Sequence, residues 1–322
     1  MNQNIKHVFI LNPAAGKGEK QQGLREQIER VCTERGVDFL LHDTSGCGEA
    51  TSFVEQMCRE NPDRPLRFYA CGGDGTLSET VNGAYAYANA SVGVIPVGTG
   101  NDFVRNFEGN QAFMDIEAQL DGGVQVLDLF RYNNHYCVNM INIGFDCEVV
   151  KQTAKLKRNK LIPAGMAYIA GLAVTLIRKP GVRATVQLDD GAPEKRCMLL
   201  TTVANGAWCG GGFYSNPLAL QDDGVLDMLM IKNVSRVRFL SLVGAYKKGT
   251  FVHDPKARRV IDYAKCRKVC YTFDKLQSIC VDGEVVEVKD LEICAVQNAL
   301  RFVLPAGVRY QPGVEAMPVG AC

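Results

Sequence analysis

Near the C-terminal end of the chain, two acids flank one glycine in Val281-Asp282-Gly283-Glu284. An alcohol is a poor nucleophile at neutral pH, and a carboxylate in hydrogen-bond reach can take its proton as the oxygen attacks an electrophile. Residues two apart on a strand point the same way, so Asp282 and Glu284 are expected on one side, with Gly283 leaving the other open. Glu284 is the first choice for a general base, with Asp282 as its orienter or an alternate base. Taken alone, Asp282-Gly283 reads more simply as a hairpin turn.

Three small-residue turns upstream could hold the phosphate that such a base would serve. The first, Asn12-Pro13-Ala14-Ala15-Gly16-Lys17-Gly18, departs from a Walker loop because Leu11 stands where its first glycine belongs and no Ser or Thr follows Lys17. It still offers backbone N–H groups and the Lys17 charge to a phosphate, or else it is a plain strand-to-helix turn. The second is Gly72-Gly73-Asp74-Gly75-Thr76. So much glycine costs chain entropy unless the backbone must take positive φ or let a ligand come close. Thr76 is placed to cap the next helix, and Asp74, which would repel a phosphate, suits Mg²⁺ or metal-bound water. The third, Pro96-Val97-Gly98-Thr99-Gly100-Asn101-Asp102-Phe103, repeats the design but has Phe103 where a dinucleotide fingerprint needs its third glycine, which disfavours a Rossmann NAD site.

These turns follow apolar runs at Val8–Leu11, Leu66–Cys71 and Val92–Ile95, and a further strand is expected at Phe39–Leu41. Leu24, Ile28, Val31 and Cys32 form one helical face that stops at Gly36, and Phe53, Val54, Met57 and Cys58 form another. Such alternation predicts a parallel sheet covered by helices, with ligands beyond the carboxyl ends of its strands. From about residue 129 the pattern changes to short alternating runs: Tyr136–Ile143, Ala184–Leu188, Met198–Ala204, Leu226–Ile231, Val269–Phe273 and Leu291–Val296. Helices are expected near 163–178 and 235–248. The predicted organisation is an α/β domain over 1–128, to which about 298–322 returns, and a β-rich domain over 129–297.

In this order, Asn12-Pro13-x-x-Gly16, Gly72-Gly73-Asp74-Gly75-Thr76 and Gly98-Thr99-Gly100-Asn101-Asp102-Phe103 resemble the diacylglycerol kinase catalytic-domain superfamily. The likeness is closest to the soluble bacterial diacylglycerol kinases and YegS-like lipid kinases, whose relatives include sphingosine and ceramide kinases. It continues through Asn142-Ile143-Gly144-Phe145-Asp146, Asp222-Asp223-Gly224 and Asp282-Gly283-Glu284, and so covers nearly the whole chain. The Gly72–Thr76 turn alone is shared with NAD kinases and, more loosely, phosphofructokinases; the full series is the specific feature.

The resemblance implies an NAD kinase/phosphofructokinase-like ATP-binding domain and a sandwich-like lipid-acceptor domain, with catalysis in the cleft between them. Carried over, Asn12, Pro13, Ala14, Ala15, Gly16 and Lys17, then Thr44, then Gly72, Gly73, Asp74, Gly75, Thr76, Leu77 and Ser78, and finally Thr99 and Asn101 would hold ATP. Asp74, Asp102 and Asp128 would form an acid–water–Mg²⁺ network, and Asp223 with the carbonyls of Leu220 and Val225 a structural metal site. The implied activity is ATP-dependent phosphorylation of diacylglycerol or a related lipid, a step of phospholipid metabolism. Kinases of a sphingoid-type lipid or of NAD, and a nucleotide-binding regulator that transfers nothing, are the rival readings.

Composition narrows the field. The chain has 322 residues, 47% hydrophobic and 22% charged, with net charge +1, so no global field draws it to nucleic acid or an anionic membrane. Thirteen scattered cysteines without a Cys-x-x-Cys, and no signal peptide, suit reduced thiols in a cytoplasm, and four distant histidines make no zinc motif. The Leu161–Ile177 stretch contains Pro163, Gly165 and Gly171 and is too short to span a bilayer. Lys151, Lys155, Lys157, Arg158 and Lys160 before it, helped by Arg105, read either as a transient lipid contact or as a solvated helix face. Trp208–Phe213 could line a lipid pocket or end a bulged strand. A homodimer is compatible with the resemblance, although nothing in the residues requires one.

Overall fold

A computed structural model of the chain describes residues 5–15, 18–157, 174–175 and 181–310. The chain forms two compact units, Met1–Leu129 with Val296–Pro312, and Phe130–Ala295.

In the first unit the chain runs β1 (Lys6–Leu11), α1 (Gly18–Glu34), β2 (Phe39–Asp43), α2 (Glu49–Glu60), β3 (Leu66–Gly72), α3 (Asp74–Ala84), β4 (Ala90–Pro96), β5 (Phe107–Glu108), α4 (Ile116–Leu120) and β6 (Gly123–Tyr132). β1, β3 and β4 are near-continuous apolar runs, as strands covered on both faces must be. They pair in parallel with β2 in the order β4-β3-β1-β2. The register aligns Leu11 with both Cys71 and Asp43, and Gly72 with Pro96, so the turns after all four strands leave from one edge. Leu24, Ile28, Val31 and Cys32 of α1 pack on Phe9, Leu11, Tyr69 and Ile95. The opposite helices approach so closely that a Cβ on Gly83 of α3 would lie 2.6 Å from the Thr51 carbonyl of α2.

The second unit is built from β7 (His135–Cys137), β8 (Met140–Gly144), α5 (Phe145–Lys157), β9 (Val182–Leu188), β10 (Glu194–Ala204), β11 (Leu226–Lys232), α6 (Arg236–Lys248), β12 (Ile261–Cys266), β13 (Lys268–Val281) and the start of β14 (Glu284–Leu304). β10 and β13 each pair with β8 through one end and with β9 through the other, so the antiparallel sheet curls around Ile141, Val186, Val203, Val269 and Ile279. The single strand expected over Tyr136–Ile143 is two strands, β7 and β8. The interruption has a cause: the N–H groups of Val138 and Asn139 bond a side-chain carboxylate instead of a neighbouring strand. β14 then carries the chain back, pairing Phe302 with Val92 of β4, and β15 (Arg309–Tyr310) pairs with β5. The expected helix over Leu161–Ile177, and Arg158 and Lys160 before it, fall almost entirely outside the described residues; Val174 and Thr175 are helical.

His7 of β1 is buried, with Nδ1 3.0 Å from the Tyr69 hydroxyl. Burial, and then the charge of Arg67, push its pKa down to about 4. The unfolded chain binds this proton near pH 6.5 and the folded chain does not, so stability present at pH 7 is lost as pH falls from about 6.5 to about 4. Over that window His7 should remove about 2–3 kcal/mol. Urea unfolding of a His7→Gln variant should show this part of the acid slope gone; an unchanged slope would assign the proton elsewhere.

Candidate active site

In the first unit the turns are tied to one another. Asn12 closes its own turn, its Oδ1 accepting from the Ala14 N–H at 3.0 Å, while its Nδ2 donates to the Thr76 hydroxyl at 2.9 Å. Thr44 N–H donates to the Leu11 carbonyl at 2.8 Å, which brings the turn after β2 beside it. Gly98 N–H bonds the Gly72 carbonyl at 3.1 Å, and a Cβ on Gly98 would lie 2.5 Å from the Gly73 Cα. Glycine is required there by contact. Pro13, Ala14 and Thr99 are exposed and Ser78 half-buried, whereas Leu77 is a core residue that offers only its backbone. α3 begins at Asp74, three residues earlier than the sequence suggests, so Thr76 is not its cap but an internal, buried acceptor for Asn12. Gly16 and Lys17 lie outside the described residues.

The acids of this unit have definite surroundings. Asp74 accepts from the N–H groups of Asp102 and Phe103 at 3.1 and 3.2 Å, clamping the third turn to the second. Asn101 makes the bend at φ 51°, its Nδ2 donating to the carbonyls of Pro96 and Gly98, while its buried Oδ1 has no hydrogen-bond partner. Asp102 is buried beside Arg105, Oδ1 to Nε 3.3 Å. A Cβ on Gly100 would lie 3.0 Å from Asp74 Oδ2 and 3.8 Å from Asp102 Oδ2, so both carboxylates converge on the space that glycine leaves. Two carboxylates around such a gap, with small-residue turns beside them, fit a hydrated Mg²⁺ and a polyphosphate. Asp128, on β6, is buried and accepts from the Asn298 N–H at 2.7 Å.

In the second unit Asp282 and Glu284 part company. Asp282 and Gly283, at φ 45° and 95°, make the two-residue turn between β13 and β14 that an Asp-Gly pair favours. Asp282 is therefore off the strand, and the expected common direction with Glu284 fails. Its buried carboxylate accepts from the N–H groups of Val138, Asn139 and Met140 at 2.8, 3.0 and 3.0 Å and from the Cys137 thiol at 3.1 Å. Burial pushes its pKa up, against the pull of those donors. So enclosed, Asp282 holds the turn in place, while Glu284, the first residue of β14, is exposed.

The loop expected to hold a structural metal has a cation of its own. Asp223 Oδ2 accepts from Lys265 Nζ at 2.7 Å, and Oδ1 accepts from the Val225 N–H at 3.2 Å. The same ammonium lies 3.3 Å from Asp227 Oδ2, and Tyr263 donates to Asp227 Oδ1 at 2.8 Å. Burial pushes fully enclosed Asp227 up to about 7, opposed first by Lys265. Because Lys265 stands on the carboxylate a divalent ion would need, Leu220, Asp223 and Val225 in this arrangement do not fit one. The sequence carried a faint signal: an acid inside the apolar run Leu226-Asp227-Met228-Leu229 must meet a partner. Nothing local marked Lys265 as that partner.

Two outcomes follow from these bonds. Asp282→Ala should cost at least about 3 kcal/mol in urea unfolding, since three backbone donors lose their acceptor inside the protein; a loss below about 1 kcal/mol would mean other groups hold the turn. Any rise in melting temperature with millimolar Mg²⁺ or Ca²⁺ over EDTA should be untouched by Asp223→Asn, while Lys265→Met should cost about 2 kcal/mol by stranding Asp227, discounted for the partial exposure of Lys265. A saturable rise in melting temperature with either ion, lost on Asp223→Asn, would show that the loop does take a metal.

Comparison with known proteins bears on the order of the two domains. Residues 6–132 match the family described as the diacylglycerol kinase catalytic domain, and residues 139–304 the one described as the YegS C-terminal NAD kinase β sandwich-like domain. A protein of Alcanivorax borkumensis named "Probable lipid kinase YegS-like" is 27% identical over 94% of this chain and 97% of its own. The diacylglycerol kinase of Bacillus subtilis is 24% identical over 92% and 95%. In fold, the crystal structure of a Bacillus anthracis diacylglycerol kinase superposes with a TM-score of 0.66 at 19% identity, covering 95% of this chain and 98% of that one. The chain belongs to the lipid-kinase family in which a diacylglycerol kinase catalytic domain is followed by a YegS-type C-terminal domain.

Proposed function

We propose that this chain transfers the γ-phosphoryl group of ATP to a hydroxyl of diacylglycerol or a closely related lipid. The observation that carries the reading is the Asp74 clamp. A carboxylate buttressed by two backbone N–H groups fixes two small-residue turns at hydrogen-bond distance, in a chain whose family is that of lipid kinases.

Phosphoryl transfer asks the protein chiefly for positioning and charge neutralisation. The turn backbones after β1, β3 and β4 bind the phosphates, because glycine at 72, 73 and 98 lets main-chain N–H groups come close. Asn12 and Thr76 keep the first two turns in register. Lys17 adds positive charge. Asp74 and Asp102 would hold Mg²⁺, which when bound would offset the negative charge of the phosphates. Glu284 is the general base for the acceptor hydroxyl, and Asp282 positions it through the turn rather than accepting the proton itself.

The test is mass spectrometry of lipid extracts incubated with the protein, Mg²⁺ and ATP. A phosphorylated lipid should appear, and Glu284→Gln should slow its formation about 10²–10⁴-fold with an unaltered melting temperature. Phosphorylation of NAD with none of any lipid, or full activity in Glu284→Gln, would overturn the reading.

A further inference from the structure

α6 is amphipathic in an unusual sense. Phe239, Leu242 and Tyr246 go inward against Phe145, Leu229 and Phe251. On the opposite side Val237 and Leu240 are 80% and 56% exposed, the first and third largest exposures of large hydrophobic residues among those described. At 100° per residue, Val237, Gly244 and Lys248 share the middle of that outward face, Leu240 lies about 60° to one side of Val237, and Lys247 and Arg236 fall beyond it on the margin. The segment behind it adds exposed Lys256, Arg258 and Arg259, tied to α6 by the Arg238 guanidinium donating to the Lys256 carbonyl at 2.9 Å. Residues 236–259 thus hold seven Lys and Arg against one acid, Asp254, in a chain whose net charge is only +1.

We infer that the outward face of α6 docks the protein on an anionic bilayer surface. This rests on, and deepens, the lipid-acceptor reading. The chemistry selects the partner. Two aliphatic side chains are too few for the roughly 800 Å² per partner of a stable protein interface. They suit shallow insertion at the headgroup level, with a rim of cations facing lipid phosphates. Nucleic acid would use the cations but has no use for bare Val237 and Leu240 at their centre. The 151–160 cluster named by the sequence lies partly outside the described residues, whereas α6 is described throughout.

The test is co-sedimentation of the full chain with phosphatidylcholine vesicles, with and without about one-third phosphatidylglycerol. Binding should require the anionic lipid and be stripped by high salt. Arg236→Ala with Lys248→Ala should weaken it at least about tenfold, and Val237→Asp with Leu240→Asp should abolish it. Both doubles should keep the wild-type melting temperature and full activity on a short-chain, detergent-dispersed diacylglycerol. A Val237→Trp variant gives a second readout, its emission shifting to the blue on anionic vesicles relative to a wild-type background from Trp208. Equal binding to neutral vesicles, vesicle binding that survives the aspartates, or no blue shift would overturn the inference, the second of these assigning the face to polyanions in general. Because the dispersed-substrate assay is separate, loss of docking with activity retained leaves the kinase reading standing.

Discussion

A carboxylate placed among backbone N–H groups is the interaction on which the loop edge of the first unit's sheet depends. Asp74 is the first residue of α3, where the helix dipole favours negative charge, and it spends that charge on the N–H groups that open the next 3-10 turn. With the Gly98–Gly72 hydrogen bond, this fixes the spacing of two turns that are otherwise short of side chains. Glycine-rich loops gain close approach at the expense of rigidity. Asp74 restores the rigidity without adding bulk.

The second unit uses the same device for a different end. Asp282 gathers three consecutive N–H groups and a thiol, and in doing so breaks what would have been one strand into β7 and β8. An acid buried so completely is poorly suited to exchanging protons with a substrate. Its neighbour at the strand's exposed start is free of that enclosure. The difference in burial between two acids two positions apart follows from backbone geometry, since a left-handed pair at 282 and 283 turns one side chain inward and starts the strand with the other outside.

Much of this was legible in the residues. The apolar runs at Val8–Leu11 and Leu66–Cys71 read as strands because they are too short for a helix and end at proline and glycine turns, although a continuous run carries no period of its own. The turns that follow them were legible because glycine and proline have few other uses. What escaped was everything set by distant partners. The strand at Tyr136–Ile143 looked continuous because its interrupter is some 140 residues away. Asp282 looked like a twin of Glu284 because period-two reasoning holds only within a strand. Lys265 gave no warning of its pairing with Asp223 and Asp227, since a lysine on a strand is ordinarily just solvated.

The path of β14 bears on how the protein can be made. Phe302, near its end, sits among Phe103, Phe107 and Phe113, and the residues beyond it bond back to the first unit at Ala118 and β5. During synthesis the ribosome releases those aromatic partners long before Phe302 exists. The nascent N-terminal unit must therefore wait, with part of its hydrophobic interior unsealed, until the whole second unit has been translated and Phe302 follows it. Chains cut anywhere before residue 296 would inherit that exposed seam permanently.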